Sequence, residues 1–302
     1  MLIGTKELDN QIFYDTAIKL YNSKAGLIRV EEIAKELHIA PKWLQKRNRI
    51  KQKENYLSFP DVTCQMVRTF DLFDSPLTTK GAYWLGYIMA DGCIAPQHYD
   101  KPDSKYRLIL DLSVKDIEIL YNLCETLQIR KSRIGFGHNG ASVTMTLQED
   151  SFTTFVTEYG ISTQKSKKEN HIDNRILKND SLLLAFFHGY MDGDGTVHPY
   201  KNSPGVSVVG DKTFEEELKA VLAKILPCPS SIFINMTSCY KNASPNSKYK
   251  INMQRPLYQL KIGSGYHKRE NLRFLYDCFY NQTDYLYLTR KKLVFEQALG
   301  SL

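Results

Sequence analysis

The sequence predicts an α+β chain in which a small all-α helix-turn-helix domain precedes two tandem copies of one unit, each with its own antiparallel sheet. Three observations predict it. Residues 84–92 (WLGYIMADG) and 187–195 (FHGYMDGDG) repeat one motif at a spacing of 103 residues, taken from Asp91 to Asp194. The apolar periodicities that follow the two copies run in the same order. Ahead of both, residues 30–50 carry two short helical patterns around a turn. An internal repeat outranks local signals, because each copy has to build the same unit. The expected division is 1–56 helix-turn-helix, 57–80 linker, 81–178 first repeat and 179–302 second repeat.

The N-terminal elements come first. Ile12, Phe13, Ala17, Ile18 and Leu20 recur at helical spacing across residues 7–23. A short helix from Val30 to Leu37 then meets a turn at 38–40, and Pro41 opens a second helix, where its missing N–H is harmless. Ile33, Ala34, Leu37, Ile39 and Leu44 suit the buried seam of a helix-turn-helix. That leaves Lys42, Gln45, Lys46, Arg47 and Arg49 to face a DNA major groove and its phosphates. The mixed stretch 57–80 reads as linker.

In the first repeat a short strand follows Gly92, and Leu108, Leu110, Leu112 and Val114 alternate along a second. A helix spans 117–127, strands are expected at 133–136 and 142–148, and a helix at 152–159. The second repeat runs in the same order: strands at 197–200 and 206–209, a helix at 214–226, strands near 232–238 and 257–263, helices at 272–280 and 285–298. Each unit is therefore an α+β layer with an antiparallel sheet. An insertion at 237–255, rich in Asn, Ser, Lys and Tyr, reads as a surface loop.

Composition narrows the partners. The net charge of +7 is modest, but its distribution is uneven. No acid occurs between Lys42 and Lys53, between Thr126 and Gln148, or from Leu218 to Arg269, and such stretches point to faces that meet a polyanion. The six cysteines (64, 93, 124, 228, 239 and 278) lack metal-binding spacing and read as reduced, mostly buried thiols. No stretch is long and apolar enough for a membrane span. The expectation is a cytoplasmic monomer that acts on double-stranded DNA and touches no membrane.

The repeated motif carries the chemistry. Gly86 and Ala90 lie four apart on one helix face, as do Gly189 and Gly193, and small residues at this spacing let two helix backbones approach. Each pair is followed by one aspartate and one glycine. Gly92 and Gly195 are expected to end their helices in the left-handed conformation. Carboxylates at two helix C-termini meet the negative ends of the helix dipoles and repel each other. Divalent cations between them make sense of that arrangement. A calcium loop at 192–203 is excluded, since Val197 and Ser203 stand where its glycine and its acid belong.

These two segments resemble the paired motifs of LAGLIDADG homing endonucleases, over roughly residues 80–298. The resemblance implies a pseudo-twofold monomer with the motif helices at its centre and saddle-shaped antiparallel sheets on the DNA major groove. It implies metal ligation (Mg²⁺ or Mn²⁺) by Asp91 and Asp194, aided by the backbone carbonyls of Ala90 and Gly193. It also implies a lysine near each scissile phosphate, for which Lys165 and Lys291 are the candidates, polarising water or neutralising the phosphorane. Met89, Ala90 and His188 depart from the motif but remove no implied ligand.

Strand alternation adds a DNA-facing set without any resemblance. Arg107, Asp111 and Ser113 share one face, as do Ser142, Thr144, Thr146 and Gln148, and as do Gln259 and Lys261; Arg133 leads into its strand. Such groups suit base edges and phosphates. The function expected is site-specific hydrolysis of both DNA strands. The alternatives are a non-cleaving DNA-binding regulator and, less favoured, an RNA-splicing maturase, since a recognition helix fits B-form DNA better than RNA.

Overall fold

The computed structural model describes residues 77–97, 105–127, 129, 131–137, 140–148, 150–199, 204–237, 256–263, 268–281 and 287–300, together with Lys35 and Glu36. The expected helix-turn-helix, with Lys42, Gln45, Lys46, Arg47 and Arg49, lies outside the described residues except for that exposed helical pair. So do most of the linker and nearly all of the loop expected at 237–255.

The first repeat runs α1 (Thr79–Asp91), β1 (Gly92–Pro96), β2 (Tyr106–Ser113), α2 (Ile117–Thr126), β3 (Ile134–Gly137), β4 (Ser142–Leu147) and α3 (Asp150–Glu158). A short α4 (Asn174–Leu177) leads into α5 (Asp180–Gly193). Then come β5 (Thr196–His198), β6 (Gly205–Gly210), α6 (Lys212–Ile225), β7 (Ile232–Met236), β8 (Tyr258–Ile262), α7 (Lys268–Tyr276) and α8 (Thr289–Gly300). The sheets share one topology, β1-β2-β4-β3 and β5-β6-β8-β7, and every pairing is antiparallel.

Side-chain chemistry accounts for these boundaries. Thr78 starts α1 by accepting a bond from the Gly81 N–H, Asn179 starts α5 by accepting from Ser181 and Leu182, and Asp211 starts α6 by accepting from Phe214. Along β2 and β4 the apolar residues alternate inward. Leu108, Leu110, Leu112, Val143, Met145 and Leu147 pack against Ile119, Leu120, Leu123 and Cys124 of α2. The second core repeats the plan, with Val206, Val208, Leu260 and Ile262 beneath Phe214, Leu218 and Leu222 of α6. Each such side chain contributes about 1.5–3 kcal/mol on burial.

The motif helices differ from the rest. Residues 81–90 of α1 are all buried, as are residues 185–192 of α5, so neither helix has a solvent face. A helix that is apolar all round belongs at a centre, and these two form the joint between the repeats.

One expectation about that joint is corrected. Gly92 has extended backbone (φ −77°, ψ 147°), and neither it nor Gly195 has positive φ. Both glycines answer to space: a Cβ on Gly92 would stand 2.6 Å from the Ile88 oxygen, and one on Gly195 2.4 Å from the Met191 oxygen. The chain turns into β1 and β5 hard against the last helical turn, leaving no room for a side chain.

Candidate active site at the joint between the repeats

The joint is reciprocal. A Cβ on Gly86 would lie 1.9 Å from the Phe186 carbonyl oxygen, and one on Gly189 would lie 1.9 Å from the Tyr83 carbonyl oxygen. Tyr83 and Phe186 hold the same place in the two motifs, as do Gly86 and Gly189, so the helices are related by a pseudo-twofold axis. Further along, a Cβ on Gly193 would meet that of Ala90 at 2.3 Å and the Asp91 Oδ2 at 3.3 Å. The small residues thus bring together the two helix ends that carry the aspartates.

Asp91 is half-buried and Asp194 is exposed, so both carboxylates reach the surface. Burial pushes the Asp91 carboxyl above its usual range and the Asp194 charge pushes it further, while Lys165, Lys291 and the Tyr87 hydroxyl oppose the rise. Asp194 is likewise raised by burial and lowered by Lys165 and Lys291.

The two lysines converge on the same point. Lys165 donates from Nζ to the carbonyls of Ile88 (3.2 Å), Met89 and Ala90, at the C-terminus of α1. Lys291 donates to Met191, Gly193 (3.0 Å) and Gly195 (2.8 Å), at the C-terminus of α5. Ammonium groups suit those positions, where unpaired carbonyls concentrate the negative end of the helix dipole. Burial lowers both lysines to about 8; Asp194 and Asp91 oppose this for Lys165, while for Lys291 Asp192 opposes it and Arg290 adds to it. Both remain mostly protonated at neutral pH, so two carboxylates and two ammonium groups share one site.

The donor set for a metal is therefore oxygen only. Among the described residues no group of three or more His, Cys, Asp or Glu side chains could hold an ion. Two carboxylates, with phosphate and water completing the shell, match the hard, partly hydrated coordination of Mg²⁺. The carbonyls of Ala90 and Gly193 accept from Lys165 and Lys291.

No protein-family model matches the chain, and no curated protein does. Solved structures do resemble it. I-DmoI in complex with its nicked target DNA and Mn shows 15% identity over 69% of this chain and 98% of that one, at a TM-score of 0.44. The I-LtrWI LAGLIDADG homing endonuclease bound to target DNA shows 10% identity over 72% and 90%, at 0.46. The I-SmaMI LAGLIDADG homing endonuclease bound to cleaved DNA shows 10% identity over 74% and 89%, also at 0.46. This chain resembles LAGLIDADG homing endonucleases. The likeness concerns the fold, and at such identity the site stands on its own residues.

In these LAGLIDADG-like repeats the other candidate residues fall on the outer sheet faces. Asp111 and Ser113 are exposed, Arg107 is half-buried, and Ser142, Thr144, Thr146 and Gln148 point away from the core. Thr144 donates to Asp111 across the strands at 2.8 Å, so those two groups satisfy each other. Lys261 is exposed and pairs with Ser207; Gln259 donates to Ser207 Oγ at 3.0 Å. Arg133 sits in a turn ahead of β3 and on no strand.

Several residues escaped the sequence reading. Thr196, His198, Ser207 and Phe233 share the outer face of the second sheet, with His198 Nε2 2.9 Å from Ser207 Oγ. Alternation in β5, β6 and β7 carried that signal. Asp192 is buried and accepts from the Tyr83 hydroxyl (2.7 Å) and the Leu288 N–H (3.0 Å), so it secures the start of α8 just ahead of Lys291. His188 is buried and stacks on Phe279 with ring centroids 4.3 Å apart, leaving the glycine contacts intact. Among the described cysteines, read from the sequence as mostly buried, Cys124 and Cys228 are buried, Cys278 is half-buried and Cys93 is exposed.

Proposed function

We propose that this chain is a divalent-metal-dependent endonuclease of the LAGLIDADG homing type, acting as a monomer on both strands of a duplex DNA site. The observation that carries the reading is the meeting of Asp91, Asp194, Lys165 and Lys291 at one joint between two sheets with polar outer faces. Two carboxylates and two ammonium groups put charge of both signs at one place. They suit a phosphodiester, whose attack adds negative charge at one place.

Asp91 and Asp194 would hold the metal, Mg²⁺ or Mn²⁺, which when bound supplies Lewis acidity for the attacking water and the departing oxygen. The chain does the rest. The positive charges of Lys165 and Lys291 would act through space on the charge that develops on the phosphate, since the three Nζ protons of each are already given to backbone carbonyls. The carbonyls of residues 88–90 and 191–195 hold those ammonium groups in place before substrate arrives. Ser142, Thr144, Thr146, Gln148, Gln259 and Lys261, together with Arg107, line the faces that would meet base edges and phosphates.

The test is incubation of the full chain with DNA spanning its native insertion locus, in Mg²⁺ or in Ca²⁺, with the cut ends mapped. Cleavage of both strands in Mg²⁺ is expected, and Asp194→Asn should stop nicking of at least one strand while binding persists. Tight binding with no cut in Mg²⁺ would replace this reading with that of a DNA-binding regulator.

A further inference from the structure

Each lysine lies in a segment that is fastened to the opposite repeat. Lys291 occupies the first turn of α8. Just ahead of it Arg290 forms a two-pronged ion pair with Asp116, Nε to Oδ1 and Nη2 to Oδ2, the latter at 2.8 Å. Thr289 gives its backbone N–H to Glu118 Oε1 (3.0 Å) and its hydroxyl to Oε2 (3.3 Å). Asp116 and Glu118 stand at the start of α2, in the first repeat. Asp116 holds the N-cap position of α2 yet makes no side-chain cap bond there, so its carboxylate is turned to Arg290.

The second fastening is the counterpart of the first. Lys165 is followed by Asn170, whose backbone N–H (2.9 Å) and side-chain amide (2.7 Å) both donate to Asp211 Oδ2. The same amide reaches back to the Lys165 carbonyl at 3.1 Å. Ile172 N donates to Glu217 Oε2 at 2.9 Å, and His171 Nδ1 lies 2.7 Å from Glu217 Oε1. Asp211 and Glu217 belong to the start of α6, in the second repeat. The acidic start of the first helix after each hairpin therefore grips the lysine segment of the other half.

The Arg290 side chain is 51% exposed and that of Asp116 13%, so the pair is open to water on one side only. Directed, two-pronged bonds do fix geometry. We infer that Asp116 and Glu118 are positioning residues for Lys291, and Asp211 and Glu217 for Lys165, so that each repeat aims the lysine of its partner. This rests on the nuclease reading above, and it adds that the two strands of the duplex depend on separate clamps.

The experiment uses the full chain, a doubly end-labelled duplex bearing the mapped site, and single-turnover rates for each strand. Asp116→Asn should slow one strand about tenfold, since a small misplacement of a reacting group is costly, and the other less than about twofold, with nicked duplex accumulating. Glu217→Gln should slow the opposite strand. Asp116→Glu, which keeps the acceptor, should restore balance. Equal slowing of both strands, the same strand affected by both variants, or no change would each overturn the inference. A second readout needs no cleavage: the rate at which an amine-specific acylating reagent labels each lysine, read by mass spectrometry. Asp116→Asn should speed labelling of Lys291 several-fold and leave Lys165 unchanged, and Glu217→Gln should do the reverse. Wild type that leaves DNA uncut, with the variants still labelling in this crossed pattern, would sink the nuclease reading alone. Unchanged labelling of both lysines would sink the positioning role whatever the DNA result.

Discussion

The two repeats deliver a lysine to equivalent places by unlike means. In the first, Lys165 is half-exposed on a short 3₁₀ turn behind Gln164, a non-glycine residue at positive φ (55°). In the second, Lys291 is 6% exposed in a regular helix whose preceding N–H groups, on Leu288 and Thr289, are held by Asp192 and Glu118. The residue that occupies the place of Asp192 in the first repeat is Met89, buried and with no carboxylate to offer. At the axis itself the two motifs are alike, with Gly86 and Gly189, and Asp91 and Asp194, in equivalent places. The surroundings that carry each lysine differ between the repeats, so unlike supports bring the two ammonium groups to equivalent helix ends.

The comparison breaks most completely at the joint. Gly86→Val or Gly189→Val would drive a side chain into a backbone carbonyl of the other helix, and neither variant should fold; the expected loss exceeds about 3 kcal/mol, checked by denaturant unfolding. A smaller effect separates the lysines. Lys165→Met and Lys291→Met should each cut the cleavage rate about 100-fold, on different strands, while DNA binding measured by gel shift changes little. A further step down tests the Asp192 and Met89 places. Asp192→Leu leaves the Tyr83 hydroxyl and the Leu288 N–H without their acceptor and should cost about 1–3 kcal/mol for each orphaned donor. Met89→Leu, nearly equal in volume, should cost less than about 1.5 kcal/mol.

The smallest effect concerns Glu215, which the second repeat buries beside Gly210 with no hydrogen-bond partner for either oxygen. Burial, with Asp211 and Asp194 adding to it, raises its pKa to about 9. The folded protein then holds a proton that the unfolded chain has released, so this group favours folding least as pH climbs from about 4.5 toward 9. Glu215→Gln should raise the Tm by a few degrees at pH 8, with the gain shrinking toward pH 5; an equal gain at both pH values would disprove the buried neutral acid.

Much of this was legible in the sequence where one local feature sufficed. Alternation placed Leu108, Leu110, Val143 and Met145 in the core and Thr144, Thr146 and Lys261 outside it. The small-residue pairs announced close helix packing. What stayed hidden depends on residues far apart along the chain. Nothing in the local sequence of Asp116 or Glu118 distinguishes them from an ordinary helix-starting pair, since their partners lie 174 and 171 positions away. Asp192 likewise has its partners, the Tyr83 hydroxyl and the Leu288 N–H, far along the chain, and it is buried and serves α8. The left-handed turn expected at Gly92 and Gly195 failed for a related reason: a glycine signals missing volume as readily as unusual φ, and the sequence does not say which.

The reciprocal seating of the two glycines has a consequence for symmetry. A contact in which like positions meet like positions is the geometry of a symmetric dimer, closed here within a single polypeptide. Two identical copies would be bound to present identical surfaces on either side of the axis. Within one polypeptide the halves are free to differ: Asp192 and His188 stand on one side where Met89 and Leu85 stand on the other, and the central seam remains closed.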